Sequence, residues 1–335
     1  MQSEQDHITD SFGRVHNYLR ISLTERCNLR CFYCMPKEGI ALRERSEFMS
    51  NEELLEIARV FTDLGVNKIR LTGGEPLVRK NVEHIIDELG KMPVNLAITT
   101  NAILVDRYIN RFKAAGINTV NVSLDSLNRN RLHAITRKDY YSKIINNIHL
   151  LIDQGFHVKV NMVVMKGVND DELVDFVAWT KDLPIHVRFI EFMPFIGNQW
   201  SKDKALNYAE MTDKIEQVYG SNQISKLTDH INDTTKGYKI EDYCGTFSFI
   251  TSISNPFCGG CNRIRLTADG KIKNCLFSNF ETDLLTPLRQ GKEIKSLIFK
   301  SIYLKKKLRA GLETSEKFNN TFNHRNNRTM VAIGG

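Results

Sequence analysis

Six short runs in which apolar and polar residues alternate, separated by stretches with helical periodicity, restrict this chain to a parallel α/β architecture. The runs fall at 18–24, 68–72, 94–100, 118–124, 156–164 and 185–192. Ser50, a capping residue with Glu53 three positions on, starts a helix that Gly65 closes. Further helices are expected over about 80–91, up to Gly116, near 141–154 and near 171–182. Strand and helix alternating at this spacing build right-handed βαβ units and a parallel sheet. Curled into a barrel, such a sheet carries its chemistry at the carboxyl ends of its strands. Thr24, Thr72, Thr100, Asp125, Val164 and Met193 stand at those ends.

The pattern changes after about residue 195. A helix near 208–219 precedes strand-like runs at 236–240 and 246–251, a turn at Asp269-Gly270, and helical segments at about 283–290 and 293–309. A chain of 335 residues holds about two domains. The expected fold class is therefore α/β: a partial (βα)6 TIM-type barrel over 12–195 and a smaller C-terminal α+β domain over 196–335. With 41% apolar and 25% charged residues, wholesale disorder is not expected.

Six of the seven cysteines fall in two triplets: Cys27, Cys31 and Cys34, directly after the first strand, and Cys258, Cys261 and Cys275. Three thiolates from one short loop suit either zinc or an iron–sulfur cluster, and the spacing alone leaves both open. A zinc knot needs a fourth ligand, whereas a cubane with three thiolates keeps one iron open. Disulfides fit poorly, since three cysteines cannot all pair and the polar N-terminus has no apolar signal segment. The expected setting is a reducing cytoplasm. No apolar run approaches a membrane span. Net charge is +7, from 46 basic and 39 acidic residues, which admits an anionic ligand without naming it.

Two further features narrow the field: the run Gly73-Gly74-Glu75-Pro76 after the second strand, and the arginine pair Arg263 and Arg265 just inside the second triplet. With Phe32-Tyr33 before Cys34 and the C-terminal Gly334-Gly335, the chain resembles the radical S-adenosylmethionine superfamily. Within it, the resemblance over about 12–335 is to the GTP 3′,8-cyclase family of molybdenum cofactor biosynthesis. It implies a radical-type partial barrel and two [4Fe-4S] clusters, held by Cys27, Cys31 and Cys34 and by Cys258, Cys261 and Cys275. S-adenosylmethionine would sit on the first, against Tyr33, Gly74, Ser123 and Met193. Glu75 reads either as a charge at a helix start or as part of that cofactor site. GTP would meet Arg20, Arg70, Thr99, Lys159, Arg263 and Arg265.

Arg70 and Lys159 lie inside strands, where a cation is costly unless it faces a polar cavity. Lys68 and Arg188 follow the same logic and are counted, with Arg20, Arg263, Arg265, Gly334 and Gly335, among the residues serving the reaction. The resemblance also implies a reductant protein, a downstream cyclic pyranopterin monophosphate synthase and a homodimer, with no role for nucleic acid or membrane. Ala102 departs from the family pattern, which has glycine after Thr-Thr-Asn. Cys244 and the run Lys305-Lys306-Lys307 are expected to be an idle thiol and a solvated helix face. Two other functions compete: a radical peptide-modifying maturase, and a zinc-stabilised nucleic-acid binder, which leaves Gly-Gly-Glu-Pro without a role.

Overall fold

The computed structural model describes residues 7–35, 39–40 and 43–334. Its first half alternates as β1 (Tyr18–Ser22), α1 (Asn51–Asp63), β2 (Lys68–Thr72), α2 (Val82–Gly90), β3 (Asn95–Thr100), α3 (Ile109–Ala114) and β4 (Thr119–Ser123). It continues through α4 (Arg129–Thr136), α5 (Tyr141–Asp153), β5 (His157–Val164), α6 (Leu173–Ala178) and β6 (His186–Glu191). The second half contains α7 (Tyr208–Tyr219), β7 (Ile224–Lys226), β8 (Lys236–Ile240), β9 (Thr246–Ile250), β10 (Arg263–Leu266), β11 (Lys271–Lys273) and β12 (Thr282–Asp283). The helices α8 (Leu285–Arg289), α9 (Lys295–Tyr303), α10 (Ser315–Asn319) and α11 (Met330–Ile333) complete it.

Local chemistry accounts for these elements. The Ser50 hydroxyl accepts from the Glu53 amide at 3.1 Å and the Glu53 carboxylate accepts from the Ser50 amide at 2.7 Å, the reciprocal cap anticipated for α1. Its apolar stripe, Leu54, Leu55, Ile57, Ala58 and Phe61, is buried against the sheet. Each large side chain there contributes about 1.5–3 kcal/mol relative to exposure. Gly65, at φ +89°, turns the chain out of the helix where a side chain would be strained.

The strands form one sheet in the order β12-β11-β10-β1-β2-β3-β4-β5-β6-β9-β8-β7. The parallel run β1 to β6 is the expected partial barrel. It is longer than the sequence pattern indicates, because β10 pairs parallel with β1 and β9 parallel with β6. The segment after residue 195 thus extends the same sheet at both edges instead of building a sheet of its own. Burial along β5 alternates strictly. Val158, Val160, Met162 and Val164 pack under the helices, while Lys159, Asn161 and Val163 face inward. Likewise Leu19 and Ile21 of β1 enter the core and Arg20 faces inward, as Ile264 and Leu266 of β10 do opposite Arg263 and Arg265. The inner face is therefore polar, and the barrel encloses a cavity where a closed barrel would be filled by apolar side chains.

The helix α4 was not anticipated, since only Leu132 and Ile135 mark its apolar side. No helix among the described residues is long and apolar enough to cross a membrane.

Candidate active site

The inward-facing residues line a cavity of about 520 Å³ that both cysteine triplets share. Strand register sets its walls. Arg265, Arg20 and Arg70 stand side by side on β10, β1 and β2, with Arg263, Tyr18 and Lys68 one row earlier. Across the cavity, Lys159 lies between Asn121 and His186, and Asn161 lies beside Arg188.

The first triplet is held by three neighbouring loops. The Gly74 amide donates to the Thr24 carbonyl at 2.7 Å and the Glu75 amide to the Arg26 carbonyl at 2.9 Å. A Cβ on Gly74 would lie 2.3 Å from the Arg26 carbonyl oxygen, so backbone packing against the cysteine loop already requires glycine there. At the far side of the loop, the Arg30 and Phe32 amides donate to the last carbonyls of α4, Thr136 at 3.0 Å and Ile135 at 3.1 Å. The Cys27 sulfur accepts from the Leu29 amide at 3.4 Å and from Asn101 Nδ2 at 3.9 Å.

Burial pushes the Cys27 thiol up to about 11 and the Cys34 thiol up to about 12; Cys31, also buried, is held well above the usual range. Three crowded sulfurs that resist ionisation on their own are suited to a metal group that takes up their charge. Tyr33 donates its hydroxyl to Asp125 at 2.7 Å, and Asp125 also accepts from the Val163 amide at 2.9 Å. Burial raises the Asp125 carboxyl to about 6. Ser123 and Met193 line the same end of the cavity.

Glu75 is placed differently. Its buried carboxylate accepts from Thr100 Oγ1 at 2.8 Å, the Asn101 amide at 2.7 Å and the Leu77 amide at 3.1 Å. It caps the turn at Pro76–Val78 and ties the Gly-Gly-Glu-Pro loop to Thr-Thr-Asn, and it is not part of the cavity wall. Ala102, next in that loop, adopts φ +62°, the left-handed conformation in which the family's glycine is unstrained.

The second triplet sits opposite. Arg14, ion-paired to Asp10 at 2.6 Å, donates to the Cys258 carbonyl at 2.8 Å and to the Lys307 carbonyl at 3.0 Å. Lys305 Nζ reaches the Cys261 sulfur at 3.3 Å. Burial alone would raise the Cys261 thiol, but Lys305 and Arg263 outweigh it and bring it down to about 6. Among the described residues no three His, Cys, Asp or Glu side chains surround a single-ion position. The fit of each triplet to a cluster rests on its three soft sulfur donors, supplied together to one cavity.

Between the triplets the wall is cationic. Burial, then Arg188 and Arg70, lower the Lys159 ammonium to about 8. Burial and then Arg70 press Arg188 downward, and burial and then Arg265 do the same to Arg20. Tyr18 sits among them: its hydroxyl accepts from Arg70 Nε, and Lys68 Nζ lies 5.0 Å above its ring. Burial opposes ionisation of the Tyr18 phenol, but Arg70, Arg20 and Lys68 bring it down to about 8. Arg70 Nη1, Thr99 Oγ1, Asn121 Oδ1, Asn161 Oδ1 and Arg188 Nε are buried in this wall without a hydrogen-bond partner. Mutually repelling cations beside unpartnered polar atoms describe a receptor for a polyanion with additional hydrogen-bonding groups.

The C-terminus returns to this cavity. Met330 and Val331 line it, and Arg265 Nη1 donates to the Gly334 carbonyl at 2.9 Å. At φ +83°, a Cβ on Gly334 would lie 2.7 Å from Thr72 Oγ1. Gly335 lies outside the described residues.

The residues that sequence reasoning missed act through contacts no spacing reveals. Tyr18, Asn101 and Arg14 meet the site across 52 to 244 residues of sequence. Lys305, expected on a solvated face, is buried, because the chain bends after α9 and turns its ammonium onto the second cysteine loop.

Comparison with known proteins agrees with this geometry. The radical SAM superfamily model matches residues 21–180, and the Molybdenum Cofactor Synthesis C model matches residues 185–310. The mitochondrial GTP 3′,8-cyclase of Arabidopsis thaliana is 46% identical over 98% of this chain and 84% of its own. The GTP 3′,8-cyclase of Syntrophomonas wolfei is 41% identical over 98% of this chain and 100% of its own. Human molybdenum cofactor biosynthesis protein 1 is 44% identical over 93% of this chain, which spans half of that longer protein. Among solved structures, Streptococcus suis SuiB bound to S-adenosylmethionine superposes with a TM-score of 0.62, covering 87% of this chain and 68% of that one. At 14% identity this is a likeness of fold alone. Two full-length relatives above 40% identity, sharing both halves of the architecture, place this chain in the GTP 3′,8-cyclase family of radical S-adenosylmethionine enzymes.

Proposed function

We propose that the protein converts GTP to (8S)-3′,8-cyclo-7,8-dihydroguanosine 5′-triphosphate, the first committed chemistry of molybdenum cofactor biosynthesis, with S-adenosylmethionine and two [4Fe-4S] clusters. One observation carries this reading: two cysteine triplets and a row of buried cations line a single cavity. Cys27, Cys31 and Cys34 would hold the first cluster, and Cys258, Cys261 and Cys275 the second. Bound there with S-adenosylmethionine, the first would supply one-electron cleavage of a carbon–sulfur bond, giving methionine and a 5′-deoxyadenosyl radical.

The protein's own residues bind and orient. Tyr33, held by Asp125, and Ser123, Gly74 and Met193 form the cofactor's surroundings. Gly74 lets the backbone approach it, and Glu75 braces the two loops from behind. Arg20, Arg263 and Arg265 receive the triphosphate with forked donors. Arg70, Lys68, Thr99, Lys159 and Arg188 complete the GTP site, where Thr99 Oγ1 and Arg188 Nε are buried without a partner. Gly334, whose carbonyl accepts from Arg265, borders that site.

In this reading residues 12–195 bind the cofactor, and 196–335 bring the second cluster, part of the GTP site and the Gly-Gly tail. The setting is a reducing cytoplasm, with a protein reductant, a homodimeric assembly and cyclic pyranopterin monophosphate synthase downstream. A peptide-modifying maturase is not favoured, because the relatives at 41–46% identity are cyclases and cofactor-biosynthesis proteins.

The test is anaerobic purification with iron and sulfide quantified, then reduction with S-adenosylmethionine and GTP. About eight irons and eight sulfides per chain are expected, with 5′-deoxyadenosine formed in step with the cyclised nucleotide. Cys27→Ser abolishes S-adenosylmethionine cleavage. Cys261→Ala loses GTP conversion and keeps uncoupled cleavage. Equal loss of both activities in Cys261→Ala would refute two separable sites.

A further inference from the structure

Lys305 is a buried cation that binding of GTP and S-adenosylmethionine does not explain. Lys306 and Lys307 beside it are exposed, yet Lys305 retains 4% of its accessible surface. Its ammonium donates to the Arg263 carbonyl at 3.0 Å and to the Cys261 sulfur at 3.3 Å. Among the described residues no carboxylate pairs with it. A buried ammonium is costly unless an opposite charge meets it. The group within reach of it is the Cys261 sulfur, at 3.3 Å.

The first triplet has mixed surroundings. Cys27 receives neutral donors, the Leu29 amide and the Asn101 side chain. Buried Glu75 and Asp125 act on Cys27 and Cys31 respectively, and among the described residues the one cation beside Cys27 is Arg30, whose guanidinium is bound by the Cys27 and Leu29 carbonyls and reaches no sulfur. Around the second triplet the facing charges are Lys305 and Arg263 at Cys261 and Arg309 at Cys258. Hydrogen bonds and charges at the ligating sulfurs set the reduction potential of an iron–sulfur centre. An added electron is stabilised beside an ammonium and opposed beside a carboxylate.

We propose that Lys305 is a positioning residue that holds the Cys261 thiolate and makes the second cluster the more readily reduced of the two. The proposal rests on the two-cluster reading, and iron content separates failure of that reading from failure of this one.

The experiment uses the full chain, reconstituted anaerobically and titrated with reductant while electron paramagnetic resonance is recorded. The signal that S-adenosylmethionine perturbs is assigned to the first centre and the one that GTP perturbs to the second. In the wild type the second centre is expected to reduce at the higher potential. Lys305→Met, with unchanged iron and sulfide, moves that potential downward and leaves the first centre's in place; Lys305→Arg restores it. An unmoved second potential, or an equal shift of both, overturns the proposal. If Lys305→Met loses the second cluster, wild-type protein carrying ¹⁵N-lysine decides: a ¹⁵N coupling on the reduced second-centre signal supports the contact, and its absence overturns it. A wild type with only about four irons removes the second centre, and the proposal with it, before any variant is made.

Discussion

Arg328 is the clamp that brings the C-terminal tail to the active site, and removing it should free that tail. Its guanidinium donates to both carboxylate oxygens of Asp269, each at 2.8 Å, and to both of Glu281, at 2.7 and 2.6 Å. It also lies 3.6 Å from Glu25, two residues before Cys27. One side chain thus joins the tail, the β10–β11 turn and the first cysteine loop. Breaking a buried ion pair by deleting one partner costs about 3–5 kcal/mol. Arg43 and Lys271 remain near Asp269, and Lys273 near Glu281, so the lower end applies.

About 3 kcal/mol corresponds to roughly a hundredfold rise in the open population of the tail. Hydrogen exchange on the amides of Ala332 and Ile333, which donate to the Thr329 carbonyl, and of Gly334, which donates to that of Met330, reads this directly. Arg328→Ala should lose about two decades of protection there with little change in α1, and Arg328→Lys, which keeps charge without the fork, should fall between. Unchanged protection in Arg328→Ala would refute the clamp.

Its pH dependence has a definite sign. Although burial opposes ionisation, Arg328 and Thr267 hold the Asp269 carboxyl down to about 2, below its ordinary 3.8. The stabilisation is therefore fully present above about 4 and is lost as pH falls through about 2. Protection of the tail in the wild type should fall as pH is lowered from about 4 toward 2.

Two further outcomes test the site. Gly74→Ala should lower the thermal stability of the metal-free protein, because the new methyl meets the Arg26 carbonyl before any cofactor is present. Unchanged stability with weakened S-adenosylmethionine binding alone would assign the glycine to the ligand. Arg265→Ala should weaken GTP binding about 10- to 150-fold, from 1.5–3 kcal/mol for a charge-assisted contact, with cluster content unchanged. Equilibrium binding to the reconstituted protein measures it, and unaltered affinity would remove Arg265 from the triphosphate site.

What could be read from sequence is what local spacing controls. Strand period, the Ser50–Glu53 cap and the two cysteine triplets are short-range patterns, and they delivered the parallel barrel and its chemistry. The cations inside strands were equally legible, since Arg20, Arg70 and Lys159 occupy inward positions of a period-2 pattern. Lys305 and Glu75 were not. One lies in a run of three lysines that reads as solvent-facing, and the other was equally plausible as a cofactor contact.

The sequence by itself therefore determined the βα alternation, the two cysteine-rich loops and the inward positions of Arg20, Arg70 and Lys159. Only the tertiary structure decided that β10 and β9 extend the barrel at its two edges, that both triplets open on one cavity, and that α11 returns to β1 and β2. The physical reason is separation along the chain. The Arg14–Cys258, Tyr33–Asp125 and Arg328–Asp269 contacts join residues 59 to 244 positions apart. Contacts of that kind are selected by the packing of the whole sheet, and no local periodicity encodes them.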